Sequence, residues 1–252
     1  MTSIPEFKTL KDMLKIVPLA MALALLMPNP SAYATDAPSP RGPQDQQTAL
    51  TTPQGRRVEA LMQSAFNAYQ ANKFGLAAKS FMSAAKSGDV LAKYNLASMR
   101  IREQTKLISM SQSLAWIRFS AEKGLSNAQF SYGTLLDLGE HVEQDLFAST
   151  RWFEKAARQG HEEAALALAT ACFIGRGHAL DYQKAAFWYE KAATAGDVAA
   201  QYSIASMYLT GLGVPLDLET ALVWFSAAAR QGDVVAKEQA RLLVARIAKE
   251  RT

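Results

Sequence analysis

Residues 182–217 read YQKAAFWYEKAATAGDVAAQYSIASMYLTGLGVPLD, and the chain repeats this pattern along most of its length. Trp116, Trp152, Trp188 and Trp224 stand 36 residues apart and are the four Trp of the chain. Gly88, Gly124, Gly160, Gly196 and Gly232 keep the same step, as do Ala92, Ala128, Ala164, Ala200 and Ala236. Gly139, Gly175 and Gly211 form a fourth column, and Asp145, Asp181 and Asp217 a fifth. Columns of different chemistry sharing one register identify an internal repeat.

Within one unit the apolar spacing predicts two helices. Ala200, Ile204 and Tyr208 recur at spacing four, so they share a face. Gly211 can take the left-handed conformation that closes a helix. Asp217 can cap the second helix, a contribution of about 1 kcal/mol. That helix carries Ala221, Trp224, Phe225, Ala228 and Ala229 on its buried side and ends at Gly232. The Ala column marks a close helix crossing, where a larger side chain would push the axes apart. The Trp column fills the gap between successive units. One helix pair cannot bury both of its faces, so the units must stack. The predicted fold is all-α: an α/α superhelix, a right-handed solenoid of antiparallel helix pairs built from 36-residue units. A degenerate first unit spans 55–88, with Ser80 at the Trp position. Repeats follow at 89–124, 125–160, 161–196 and 197–232, then a closing helix at 233–250.

These residues carry a family resemblance. The Ala-rich first helix, the Gly-Leu-Gly-Val loop at 211–214, Asp217 and the run Lys184-Ala-Ala-Phe-Trp-Tyr189 resemble the SEL-one-like repeat, a relative of the tetratricopeptide repeat. Residues 161–232 match well. The loop of 125–160 is changed to GEHVEQD, and 89–124 departs most, with the loop EQTKLIS.

The flanks bear on location. Lys8, Lys11 and Lys15 precede an apolar run from Ile16 to Met27, followed by Ala32-Tyr33-Ala34. This order is that of a secretory signal peptide, with cleavage expected after Ala34. The run contains Pro18 and is short of the ~20 residues that span a bilayer. Residues 35–54 hold Pro38, Pro40, Pro43 and Pro53 with Gln44, Gln46 and Gln47, the composition of a flexible tether. A periplasmic protein is therefore expected, without stable membrane insertion once the leader is removed.

Composition narrows the function. The chain has 252 residues, 49% of them apolar and 20% charged, which fits a globular core. Its net charge of +4 falls to +3 when residues 1–34 are removed. No dense basic stripe accompanies it, which argues against a nucleic-acid binder. One Cys excludes an internal disulfide framework and a multi-Cys zinc site, and three scattered His argue against a His-built metal centre. Cys172 reads as a small buried helix residue, or else as one half of a disulfide between chains. No Gly-x-Ser-x-Gly, Ser-x-x-Lys or His-Glu-x-x-His motif occurs. Asp145, Asp181 and Asp217 recur as caps. His141 and His178 fall in equivalent loops, and His161 opens a helix. No catalytic, metal or cofactor site is predicted.

The resemblance places partner binding on the concave surface lined by the first helices. Carrying over tetratricopeptide geometry gives three rows. An aromatic-rich row holds Tyr94, Phe130, Leu166 and Tyr202. A hydroxyl row holds Ser98, Thr134, Thr170 and Ser206. A third holds Ile101, Asp137, Phe173 and Leu209. Rings beside hydroxyls suit an extended peptide. The same aromatic spacing also fits inter-helix core. Arg100 and Arg102, in the divergent unit, read either as a contact point or as solvated cations at a helix end. By resemblance, exported members are scaffolds in polysaccharide export or regulators docked on a membrane sensor. A protein partner in the cell envelope is the leading expectation. The alternatives are glycan binding on the aromatic row and weak β-lactam hydrolysis as in cysteine-rich relatives, whose regular Cys pairs this chain lacks.

Overall fold

The computed structural model describes residues 52–250, so the expected leader and nearly all of the tether lie outside it. All regular elements of the described residues are helices: α1 (Pro53–Gln70), α2 (Phe74–Lys86), α3 (Val90–Ile101), α4 (Met110–Glu122), α5 (Ser126–Leu138), α6 (Leu146–Arg158), α7 (Glu162–Ile174), α8 (Tyr182–Thr194), α9 (Val198–Thr210), α10 (Leu218–Arg230) and α11 (Val234–Glu250). Helix α1 begins two residues before the expected unit, because Thr52 caps it and Pro53 suits the first turn.

Each first helix runs antiparallel to the second helix of its unit. In the last repeat the Asp217 amide donates to the Tyr208 carbonyl at 2.9 Å, while Tyr202 meets Phe225 at 5.3 Å. Residue numbers that rise on one helix thus fall on the other. Asp145, Asp181 and Asp217 cap α6, α8 and α10 through their side chains, and Asp89, His161 and Asp197 do the same for α3, α7 and α9. Gly139, Gly175 and Gly211 close α5, α7 and α9 in the left-handed conformation.

The units dock by three devices. The Ala column is fully buried, with Ala92, Ala128, Ala164, Ala200 and Ala236 each at 0% exposure, so the crossings are as close as a methyl group permits. Trp152 and Trp224 pack against cores that join their own unit to the unit before. A glutamine stitch adds polar contacts. Gln129 donates to the Ala121 carbonyl of the preceding unit at 3.2 Å and accepts from Gln159 at 2.7 Å. Gln201 and Gln231 repeat the arrangement, with Gln201 donating to Ala193 and accepting from Gln231. The middle unit has Ala165 and Ala195 at the matching positions.

Loops also lean on the preceding unit. An added Cβ at Gly177 would stand 2.1 Å from the Leu146 carbonyl oxygen, and one at Gly213 would stand 2.3 Å from that of Tyr182. The Arg176 carbonyl accepts from Thr150 at 3.2 Å, and the Arg176 guanidinium pairs with Asp137 at 2.9 Å. In the divergent unit, Arg100 donates to the Ile108 carbonyl and Arg102 to the Tyr69 hydroxyl. Both cations expected as a contact point or as solvated ends instead hold their own loop and the first unit together.

Candidate functional site

The first helices have three kinds of neighbour, and contacts assign each column. Positions equivalent to 202, 205 and 209 face the second helix of the same unit. Phe130 meets Phe153 at 5.7 Å, Phe173 meets Tyr182 at 5.4 Å, and a Cβ at Gly133 would lie 2.8 Å from the Phe153 ring. Positions equivalent to 200, 201 and 204 pack against the unit before. In the units from 125 to 232 the face left open carries positions equivalent to 199, 203 and 210, with the 206 column at its edge.

The aromatic row is therefore core. Tyr94 is 1% exposed, Phe130 8% and Tyr202 4%, and only Leu166 stays half-buried. The Tyr94 hydroxyl bonds Ser131 at 3.0 Å, and Phe130 also lies against His161. The tetratricopeptide carry-over misplaced this row because these rings fill the hairpin interior. It offers no exposed ring for a sugar to stack on. The hydroxyl row borders the open face, but Thr134, Thr170 and Ser206 donate to the carbonyls four residues earlier. Ser98 is half-buried at the same position. In the third row Ile101, Phe173 and Leu209 are half-buried in core contacts, and Asp137 is held by Arg176.

What the open face presents was missed at the sequence level. Its floor is small and polar, with Asn127, Ser131, Ala167, Ala199 and Ser203 half-buried there. Exposed apolar groups lie on it at Ile174 and, on α11, at Val235 and Leu242. Glu163 and Arg246 add charge at its rims. The usable sequence signal was the run of small residues at 131, 167 and 203, since a helix face that meets no other helix needs no large apolar side chain.

A second missed contact joins Cys172 and His178. The Cys172 Sγ lies 3.0 Å from His178 Nε2, and His178 Nδ1 faces the Ala179 carbonyl. The thiol donates to Nε2 while Nδ1–H donates to the carbonyl. Cys172 is fully buried and burial pushes its thiol up to about 11, so it is a neutral donor and no ready nucleophile. Tyr189, also buried, is pushed up to about 12. Both shifts favour the protonated form in the folded chain. Their stabilising effect is complete below the ordinary values and fades as pH rises through 9 to 11 for Cys172 and 10 to 12 for Tyr189. The urea midpoint should fall across this alkaline range, and fall less in Cys172→Ala. A thiol reagent at pH near 8 should label the chain only after unfolding.

His178 lines a shallow cleft of about 600 Å³ with Leu180, Tyr182, Gln183, Lys184 and Gly213. Among the described residues no cluster of three or more His, Cys, Asp or Glu could hold a metal ion. No helix among them is long and apolar enough to cross a membrane.

Stacked antiparallel helix pairs with an open first-helix face define a helical solenoid of the tetratricopeptide-like class. Residues 126–161, 162–197 and 198–233 match the Sel1 repeat family. The chain is a Sel1 repeat protein. A crystal structure of a Sel1 repeat protein from Oxalobacter formigenes is 33% identical over 66% of this chain and 49% of that one, with a TM-score of 0.62. A protective antigen from uropathogenic Escherichia coli strains, displaying an SLR fold, is 26% identical over 78% of this chain and 50% of that one, with a TM-score of 0.52. The chain thus spans about half the length of these two relatives. No curated protein matches it.

Proposed function

We propose that this Sel1 repeat array is a non-enzymatic periplasmic scaffold. It holds a segment of another envelope protein along the open face of its first helices. The partner belongs to a membrane signalling system or to a polysaccharide-export assembly. One observation carries this reading: the face at positions equivalent to 199, 203 and 210 continues through the three units from 125 to 232, with a floor of small side chains and exposed apolar groups at Ile174 and on α11. Thr170 and Ser206 at the edge of the face spend their hydroxyls on backbone carbonyls, so affinity would come from burying Ile174, Val235 and Leu242. The export signal supports the periplasm, and mass spectrometry of the mature protein should find Thr35 as its first residue.

The test is affinity capture from a cross-linked cell envelope with wild type and with Ala167→Arg/Ala199→Arg. Two long side chains on the floor should abolish capture of a membrane protein and leave the helical circular dichroism unchanged. Undiminished capture by the folded variant would remove the open face as the binding surface.

A further inference from the structure

Helix α11 stands where the first helix of a sixth unit would stand. Ala236 and Leu243 bury it against the last repeat. Its positions 234, 238, 241 and 245 match 198, 202, 205 and 209, the columns that face the second helix of each unit. No helix of the described residues covers them on α11, and Val234 is 77% exposed.

The residues there differ from every other unit. Position 238 is Glu where the repeats have Tyr94, Phe130, Leu166 and Tyr202. Position 241 is Arg where they have Ala97, Gly133, Ala169 and Ala205. At Gly133 even a methyl group would crowd the Phe153 ring, so Arg241 is incompatible with a second helix of the usual apolar type. Glu238 and Arg241 pair with each other at 2.7 Å, and both side chains are more than half exposed.

This face is complementary to itself. The fold lays an antiparallel helix on these columns, and a two-fold axis also makes two copies of α11 antiparallel. With the axis between Gln239 and Ala240, Glu238 meets Arg241 of the other copy and Arg241 meets its Glu238. Val234 meets Ala245. The apolar ends and the charged centre match at once, as an isologous contact requires. The outward side of α1 is polar, with Arg57, Gln63, Ser64 and Asn67 exposed, so it does not match α11 in a head-to-tail contact.

We propose that the protein forms a two-fold dimer through α11, in which the second copy's α11 lies on this face as a second helix does in the repeats. A single helix pair of about 25 Å is smaller than a standard interface of about 800 Å² per partner, so dissociation falls in the micromolar range. The protein as isolated from cells should pass from monomer to dimer in sedimentation equilibrium between about 1 µM and 1 mM. Glu238→Arg and Arg241→Glu should each raise the dissociation constant about tenfold or more by facing like charges across the axis. The double variant Glu238→Arg/Arg241→Glu should dimerise again, because the reversal restores both pairs. Reversing the exposed Arg118–Glu122 pair of α4 should leave the dimer unchanged. A monomer across the whole range, single variants that dimerise as wild type, or a double variant that stays monomeric would each overturn the proposal.

Discussion

The combined change Tyr94→Ala, Phe130→Ala and Tyr202→Ala is expected to unfold the chain. Each ring fills the interior of a different helix pair. Truncating a buried aromatic to Ala costs about 3–5 kcal/mol, from lost burial and from the cavity left behind. The three sites lie in separate repeats, so their costs should nearly add. The sum approaches or exceeds the 5–15 kcal/mol typical of a whole domain. Tyr94 carries a further loss, since its hydroxyl ties α3 to Ser131 of the next unit at 3.0 Å. Circular dichroism in a urea series reads the outcome directly. A triple variant with a wild-type melt would return these rings to the surface. Because the change destroys the fold, it cannot serve to map a partner, and the substitutions at Ala167 and Ala199 take that role.

Two glycine substitutions should separate sharply. Gly177→Ala meets two costs. Its φ of +72° disfavours a side chain, and its Cβ would stand 2.1 Å from the Leu146 carbonyl oxygen, a backbone atom at the start of α6 that cannot swing away. Together these should cost roughly 3 kcal/mol or more. Gly232→Ala meets only the first, with a φ of +97° and nothing within 4 Å of the added carbon, for a cost of about 1–2 kcal/mol. Thermal melts of the two variants should differ by several degrees, since about 1 kcal/mol moves the midpoint by 2–4 °C in a chain of this size. Equal melts would mean that the loop at 175–181 can lift off α6 at little cost.

Much of the architecture was legible because a repeat states its period many times. The Trp, Gly, Ala and Asp columns fixed the helix pairs, and the caps at Asp145, Asp181 and Asp217 fall where their spacing put them. The face assignment was not legible. A period of 3.6 groups residues by side but does not say which neighbour a side meets. Tyr202 and Ser206 are four apart, yet one lies in the hairpin and the other at the rim of the open face. The pairing of Cys172 with His178 was hidden for a related reason, since the left-handed turn at Gly175 folds the loop back onto α7. In the divergent unit no loop glycine marks the path, and Arg100 and Arg102 looked available when both were holding the chain in place.

The loops at 175–181 and 211–217 each lie over the unit before them. The array is laid like roof tiles, every course overlapping the one beneath. Every seam is shared by the two units it joins, so a unit in the middle is held on both sides and an end unit on one. Such a stack opens from its edges. A partner or second copy gripping α11 would then act as the ridge cap, slowing the opening of the row at that edge.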